Sequence, residues 1–398
     1  MKNPTKLMYE RLVPSHEALW DQGGAEMRSV EIDTGRYEDV PFFNLEISSL
    51  ENTKNDRIID HRGRDVGRHY SYNVHTSDGI DRTARVYIPD DSHRSSNEMY
   101  LQANTAWLTT ITGHNDYAAS TFVSRTGLPM IVIGAEHGTN QNHYPQELLR
   151  IPETLLRSQT ISLAKSAQSG QLISASLAKK FDLPSVMIAT GESRGAMVAP
   201  GQLPYAEEYE TTIPYMDITA PCVPRRLLSE RADWLRLARW PTSEVLGTVA
   251  LGLSLAEQKT LKRKMGTVAF NPNFLVSNLT GVRRSLFSGE AGEFTKWVPR
   301  DIAKAALYMS TFKNDTVSRP DVWADLYVEH ENVFIREHTH GSHLTLANDD
   351  VLHSKAVRIN KVQELYGSQG GIQTIGDFAD VINTRRHGET DFVYQMVA

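Results

Sequence analysis

Ser193 has the residue type and the neighbours expected of a catalytic nucleophile. Residues 191–195 read Gly-Glu-Ser-Arg-Gly, which matches the pattern G-x-S-x-G. In that pattern the serine occupies a tight strand-to-helix turn, and the flanking glycines avoid clashes that larger side chains would cause. Residues 185–189, Ser-Val-Met-Ile-Ala, are typical of a buried strand and lead into this turn. The pattern predicts Ser193 as a nucleophile whose hydroxyl projects from the top of the sheet, with a serine in an ordinary glycine-flanked turn as the alternative.

The elements around the turn predict an α/β fold. Residues 70–75 and 83–89 are two alternating stretches on either side of an Asp-Gly turn, which is typical of a hairpin. Short apolar runs then alternate with a helical stretch. Strands are predicted at 106–111, 130–133, 185–189 and, more weakly, 213–218, and a helix over 153–181. This alternation favours a mostly parallel central sheet covered by helices on both faces.

The alternation stops at residue 222 and resumes near residue 305. We interpret residues 222–298 as an inserted helical cap, with helices near 224–240 and 254–265. Further strands are predicted at 305–309 and 333–335. The resulting organisation is an irregular N-terminal extension (1–68), a first part of the core (69–221), the cap (222–298), a second part of the core (299–365) and a C-terminal tail (366–398).

These motifs resemble the α/β-hydrolase superfamily over about residues 70–221 and 300–360. The resemblance implies the α/β-hydrolase fold and a catalytic triad whose chain order is serine, then aspartate or glutamate, then histidine. One feature departs from the family, in which the helix after the nucleophile is usually long. Residues 200–201 are Pro-Gly, and a proline removes a helix hydrogen bond and clashes with the preceding turn. We therefore expect this helix to be short or kinked.

The general base is predicted among three histidines that follow the strand at 333–335. Family members place a small residue before the catalytic histidine and a hydrophobic residue after it, and the run Gly-Ser-His-Leu around His343 fits this best. His340 and His338 are the alternatives. These histidines could also ligate zinc, but they lack the helical spacing of the H-E-x-x-H type. We therefore predict no metal.

The resemblance also implies an acid that orients the histidine. Asp315 lies in a loop after the strand at 305–309 and is followed by small and apolar residues, as the family pattern requires. Asp217, Asp321 and Asp325 are the alternatives. Each of them could equally be an exposed loop carboxylate or a helix N-cap.

Two further groups of residues are assigned from their place in the chain. By analogy with the family, the backbone amides of Arg194 and His114 would bind the oxyanion, with Thr-Gly at 112–113 in place of the usual His-Gly. Glu136 and His137 follow the strand at 130–133, where loops at the end of a sheet build a pocket. They are candidate substrate-binding residues, and loop residues without a role are the alternative.

The composition is that of an ordinary globular protein and excludes several classes. The 398 residues are 40% hydrophobic and 23% charged, and the net charge of −6 gives no support for nucleic acid or an anionic membrane as the main partner. A single cysteine excludes an intrachain disulfide and zinc-finger types. No apolar run is long enough for a signal peptide or a membrane span, so a cytoplasmic location is predicted.

Together these features predict a serine hydrolase that cleaves an acyl bond of a small molecule, with a carboxylic ester as the expected substrate and no cofactor. Thioester, amide and lactone substrates remain open, as does the oligomeric state. An acyltransferase that uses the same triad is one alternative. A ligand-binding relative without catalysis is the other, because fold does not determine function.

Overall fold

The computed structural model describes part of the chain, and every structural statement below refers to that part. The described residues are 25–31, 37–60, 62–96, 98–106, 111, 114–137, 162–222, 305–312, 315, 318, 323–324, 327, 330–338, 349–372, 374–383 and 391–394. Several predictions lie outside these residues. They are the cap beyond residue 222, the histidines His340 and His343, and the alternative acids Asp321 and Asp325.

Twelve strands and six α-helices are found among the described residues. The strands are β1 (Ala25–Glu31), β2 (Tyr37–Phe43), β3 (Ile47–Ile59), β4 (Asp65–Thr76), β5 (Asp81–Pro89), β6 (Tyr100–Asn104), β7 (Met130–Ile133), β8 (Val186–Glu192), β9 (Thr212–Thr219), β10 (Ala306–Phe312), β11 (Val333–His338) and β12 (Asp391–Tyr394). The helices are α1 (His114–Thr126), α2 (Leu163–Lys180), α3 (Arg194–Gly201), α4 (Leu203–Ala206), α5 (Asp349–Gln369) and α6 (Ile375–Asn383).

Ten of these strands form one mostly parallel sheet. Its spatial order is β12-β11-β10-β9-β8-β6-β7-β5-β4-β3, and β1 pairs with β2 in a separate two-stranded sheet. The six strands from β11 to β7 run parallel to one another, and the strands at the two edges are antiparallel. Parallel strands present their carboxyl ends at the same edge of a sheet. The loops that follow β8, β9, β10 and β11 therefore start from a common edge.

Helices cover both faces of the sheet, and each face has its own hydrophobic core. On one face, α2 and α3 contribute Ile173 and Met197 to a core that contains Ile218 of β9. On the other face, α1 and α5 contribute Phe122 and Ile359 to a core that contains Tyr215 of the same strand. Burial on both faces is the usual environment of parallel strands and agrees with the prediction of helices on both sides.

Several predicted elements are confirmed. The hairpin is formed by β4 and β5, which pair antiparallel, and Gly79 in its turn has a φ of 79° that glycine adopts without strain. The strands expected near 305–309 and 333–335 are β10 and β11. The helix after Ser193 is short, as Pro200 predicted, because α3 ends at Gly201 and the chain continues in α4.

Two expectations about secondary structure are wrong. The described part of residues 1–68 is rich in strands rather than irregular, since β1, β2 and β3 all lie in it. The strand expected at 106–111 is not found at either end of that range, since Ala106 has no regular structure and Ile111 lies in a bend, and 107–110 lie outside the described residues. The strand β6 instead begins six residues earlier, at Tyr100. The buried polar residues Gln102 and Asn104 made β6 look unlike a core strand. In the fold, Asn104 Nδ2 donates a hydrogen bond to Gln202 Oε1 at 2.9 Å.

Candidate active site

Ser193 occupies a strained turn between β8 and α3. It has a φ of 54° and a ψ of −116°, which a residue with a side chain rarely adopts. Such a conformation costs about 1–3 kcal/mol and persists only where the surrounding structure enforces it. Two hydrogen bonds do so: the Ser193 amide donates to the Thr219 carbonyl at 2.9 Å, and the Ser193 carbonyl accepts from the Ala196 amide at 3.1 Å.

The two glycines of the turn are required because other backbone atoms approach them closely. A Cβ placed on Gly191 would lie 2.2 Å from the Gly195 carbonyl oxygen. A Cβ on Gly195 would lie 2.0 Å from the carbonyl oxygen of Asn104, at the end of β6. Both distances are far below van der Waals contact. The glycines therefore let α3 begin directly against β8 and β6, which is the steric reason for the G-x-S-x-G pattern.

Cys222 is the described side chain hydrogen-bonded to the predicted nucleophile. Its Sγ lies 3.5 Å from Ser193 Oγ, and both side chains are buried. The pKa of the Cys222 thiol is raised to about 12, chiefly by burial and also by the nearby carboxylate of Asp315, while the bond to Ser193 and the Arg194 charge act in the opposite direction. A thiol reacts as a thiolate, so Cys222 is a poor nucleophile near neutral pH. From the sequence, this cysteine serves to exclude an intrachain disulfide and zinc-finger types, and no local pattern indicates its place beside Ser193.

Asp315 lies at the same edge of the sheet as Ser193. It follows β10, which is separated from β8 only by β9, and its amide donates to the Phe312 carbonyl at 2.9 Å. Its Oδ1 accepts the Ser318 amide hydrogen at 3.0 Å. The side chain is buried and its charge acts on the Cys222 thiol next to Ser193. The predicted acid and the predicted nucleophile are therefore close to a common neighbour.

Asp217, the alternative acid, is held by a different set of contacts. Arg358 of α5 donates to both carboxylate oxygens, from Nε to Oδ2 at 2.8 Å and from Nη2 to Oδ1 at 3.2 Å. The Tyr215 hydroxyl donates to Oδ2 at 3.1 Å, and Lys355 Nζ lies 3.7 Å from Oδ1. Every member of this cluster is buried. These contacts attach the middle of β9 to α5 and leave the Asp217 carboxylate engaged away from the Ser193 turn.

His338 is the one predicted base candidate within the described residues. It is the last residue of β11, which pairs with β10 in parallel, so it reaches the edge at which Ser193 and Asp315 lie. Its ring packs against Phe312 with 5.4 Å between ring centroids. Because His343 and His340 lie outside the described residues, the choice of base stays a prediction.

The predicted oxyanion donors both stand at the start of a helix. Arg194 is the first residue of α3, immediately after Ser193, and His114 is the first residue of α1. The first turn of α1 is anchored through Asp116, whose Oδ1 accepts from Arg85 Nη1 at 2.6 Å and from the Tyr87 hydroxyl at 2.7 Å. Free backbone amides at helix starts suit developing negative charge. The assignment of these two amides stays a prediction.

Glu136 lies in a buried ion cluster with the side chain of Arg194. Arg194 Nη2 lies 3.0 Å from Glu136 Oε1 and also donates to Ser166 Oγ. Ser166 in turn donates to Glu136 Oε1, and Arg82 Nη2 lies 3.7 Å from the same oxygen. Burial raises the pKa of Glu136, but the charges of Arg194 and Arg82 outweigh it and lower the pKa to about 2. Glu136 is therefore ionised at neutral pH, and its role in binding substrate stays a prediction.

His137 follows Glu136 in the chain but has a different setting. It has a φ of 54°, and its amide donates to the Asp81 carbonyl at 2.5 Å. Burial lowers the pKa of its imidazole, and the negative charges of Asp81, Glu136 and Asp78 oppose this. The backbone bond ties the end of β7 to the start of β5. The contact of His137 with substrate likewise stays a prediction.

Neither a metal site nor a membrane-spanning helix is found in the part of the chain that the structure describes. No three histidine, cysteine or acidic side chains among the described residues are grouped so that they could hold a metal ion. Two of the histidines that sequence reasoning weighed as zinc ligands, His340 and His343, lie outside that part. Each described helix is too short or too polar to cross a lipid bilayer.

Comparison with known proteins returned structural likenesses only. No protein-family model matches the sequence, and no curated protein matches it. The peroxisomal α/β-hydrolase Lpx1 from Saccharomyces cerevisiae is similar, with a TM-score of 0.46, 12% identity and coverage of 84% of this chain and 96% of that chain. A hyperthermophilic esterase from Pyrobaculum calidifontis has a TM-score of 0.43, 10% identity and coverage of 94% and 96%. A bacterial heroin esterase has a TM-score of 0.43, 12% identity and coverage of 80% and 85%.

The fold itself rests on the architecture described above. The central sheet is mostly parallel and lies between helices on both faces. At its carboxyl edge a strand ends in a strained serine turn whose flanking glycines permit a helix to start at once. These features are those of the nucleophile turn in the α/β-hydrolase fold. The described part of this chain therefore has the α/β-hydrolase fold.

Proposed function

We propose that this protein is a serine hydrolase that cleaves an acyl bond, with a carboxylic ester as its substrate. The observation that carries the proposal is the conformation of Ser193. A strained φ of 54° on a residue other than glycine, enforced by close packing at Gly191 and Gly195, has no evident value for stability. It is the conformation that projects a serine hydroxyl from the edge of an α/β-hydrolase sheet.

The neighbourhood of Ser193 supports the triad that the sequence predicts. The buried Asp315 stands two strands away on the same edge, and β11, after which His343 follows in the chain, adjoins β10. Asp217 is engaged by Arg358 and is a poor candidate for the acid. We therefore assign Asp315 as the residue that orients His343 and stabilises its protonated form.

In the proposed reaction, Ser193 Oγ attacks the carbonyl carbon of the ester while His343 accepts its proton. The tetrahedral oxyanion is bound by the amides of Arg194 and His114. The carbon–oxygen bond to the alcohol then breaks, and His343 returns the proton to the departing oxygen. Water, activated by His343, adds to the acyl-enzyme, and collapse of the second tetrahedral intermediate releases the carboxylic acid and restores Ser193.

Labelling with a fluorophosphonate tests the proposal, because this reagent phosphonylates an activated serine. We expect one adduct, located on Ser193 by peptide mass spectrometry, that is lost in Ser193→Ala and in His343→Ala. Ser176→Ala is a matched control, since the Ser176 hydroxyl donates to the Leu172 carbonyl within α2. Absence of labelling in the folded protein, or an adduct on another residue, would overturn the assignment.

A further inference from the structure

We propose that Glu136 and Ser166 are positioning residues for the acyl-transfer step, acting through the side chain of Arg194 on the backbone amide that binds the oxyanion. This inference rests on the proposed function. It assigns Glu136 a role different from the direct contact with substrate predicted from the sequence. It also assigns a role to Ser166, which has no recognisable motif around it.

The contacts converge on one guanidinium nitrogen. Arg194 Nη2 lies 3.0 Å from Glu136 Oε1 and donates to Ser166 Oγ, while the Ser166 hydroxyl donates to the same carboxylate oxygen. The three groups therefore form a closed triangle of charge-assisted hydrogen bonds. Such bonds are stronger than those between neutral groups and fix the geometry of a planar guanidinium.

The triangle joins three separate elements to the residue that follows the nucleophile. Glu136 comes from the loop after β7, Ser166 from the first turn of α2, and Arg194 from the first residue of α3. The start of α2 is itself fixed, because Ser162 caps the helix by accepting the Lys165 amide hydrogen at 3.0 Å. Rotation of the backbone at Arg194 would move its side chain, so anchoring the guanidinium restrains the amide.

A second arginine keeps Glu136 in place. Arg82 Nη2 lies 3.7 Å from Glu136 Oε1, and its Nε and Nη2 donate to the Gly134 carbonyl at 3.1 and 3.0 Å. Arg82 Nη1 also donates to Ser169 Oγ at 2.6 Å. These side chains are all buried. Glu136 Oε1 is therefore close to two buried guanidinium groups, and Arg82 is itself anchored by the Gly134 carbonyl and Ser169.

The guanidinium of Arg194 is also close enough to the catalytic turn to affect its electrostatics. Its charge acts on the thiol of Cys222, whose Sγ is 3.5 Å from Ser193 Oγ. Interactions that hold an oxyanion donor contribute chiefly to the transition state, because the substrate carbonyl carries less charge than the oxyanion. Loss of the triangle should therefore lower kcat and leave KM nearly unchanged.

The test compares Glu136→Gln and Ser166→Ala with wild type in three measurements. These are kcat and KM for p-nitrophenyl acetate, the rate constant for fluorophosphonate labelling of Ser193, and the inhibition constant of an aryl trifluoromethyl ketone, which forms an oxyanion on the serine. We expect kcat and the labelling rate to fall about 10- to 100-fold. This decrease is no larger than the decrease in kcat that follows removal of a whole oxyanion donor. The ketone should bind more weakly by a similar factor while KM changes little.

Ser176→Ala is the matched control, because Ser176 lies on the same helix as Ser166 and its hydroxyl donates to the Leu172 carbonyl within that helix. It should keep wild-type kcat and ketone affinity. If Glu136→Gln fails to fold, Ser166→Ala still tests the triangle. Unchanged kcat and ketone affinity in folded Ser166→Ala, with only a lower melting temperature, would overturn the inference. A wild-type protein that neither turns over nor labels would instead overturn the proposed function, so the two failures are distinguishable.

Discussion

The edge of the sheet around Ser193 and the buried cluster around Asp217 are only a few residues apart, but they are built differently. At the edge, Ser193 adopts a strained conformation and its hydroxyl is hydrogen-bonded to the Cys222 thiol. The buried carboxylate of Asp315 lies at the same edge. In the cluster, Asp217 accepts hydrogen bonds from Nε and Nη2 of Arg358, in the core between the sheet and α5. The first region has strain that packing must maintain, whereas the second has none evident. We infer that the edge serves chemistry and the cluster serves stability.

The largest expected effect is on activity, from a change at the edge. Asp315→Asn should reduce kcat for p-nitrophenyl acetate about 10⁴-fold, as in other triads in which the histidine loses its orienting charge. The melting temperature should change little, because an asparagine oxygen can still accept the Ser318 amide hydrogen. If Asp315→Asn retained activity and Asp217→Asn lost it in a folded protein, the division between the two regions would be reversed.

The next effect is on stability, from a change in the cluster. Asp217→Asn should lower the free energy of unfolding by about 3–5 kcal/mol, because it leaves Arg358 and Lys355 buried without their shared carboxylate. Denaturant titration of wild type and variant measures the difference. The kcat of the folded variant should equal that of wild type. A large loss of kcat with unchanged stability would contradict the structural role of Asp217.

Lowering the pH should reduce the stability of the folded protein through the buried ion cluster around Glu136. The pKa of Glu136 is about 2 in the folded protein against 4.5 for an unperturbed group, so the folded state binds the proton more weakly. Its contribution to stability is therefore fully present above about pH 4.5 and is lost as pH falls through about 2. The shift corresponds to about 3 kcal/mol. Unfolding free energies measured from pH 6 to pH 2 should fall less steeply for Glu136→Gln than for wild type, and parallel curves would argue against an ionised Glu136.

The smallest effect is expected at Cys222. Cys222→Ser keeps a small polar group next to Ser193 and should change kcat by less than about threefold, because the thiol is protonated and performs no step of the reaction. Steady-state kinetics in the presence of a reducing agent measure this. A loss comparable to that of Asp315→Asn would mean that the thiol takes part in catalysis.

The predictability of these two regions from the sequence also differs. Five consecutive residues are enough to predict the Ser193 turn. The backbone leaves no room for a side chain at positions 191 and 195, and this requirement is visible in the sequence as Gly191 and Gly195. The sequence also predicts Asp315 as the acid, and the structure places it after β10 at the same edge as Ser193, but its role stays a prediction. The cluster was not predictable, because Asp217 and Arg358 are 141 residues apart and no local pattern connects them.

Long-range contacts also explain the other differences between expectation and structure. The sequence predicts that Glu136 contacts substrate, but no local pattern reveals its partners Ser166 and Arg194, which lie 30 and 58 residues further along the chain. β6 was displaced in the prediction because Gln102 and Asn104 are polar, and only the fold supplies the partner that permits burial of Asn104. In both cases the missing information was a hydrogen-bond partner brought near by folding.

The most direct test of Ser193 as the nucleophile is to trap the covalent intermediate that it is proposed to form. The protein would be mixed rapidly with p-nitrophenyl acetate, quenched in acid during the first turnover, digested and analysed by mass spectrometry. We expect an acetyl group on the peptide that contains Ser193, and its absence in Ser193→Ala. Turnover of the ester without acetylation of Ser193, or with the acetyl group on Cys222, would contradict it.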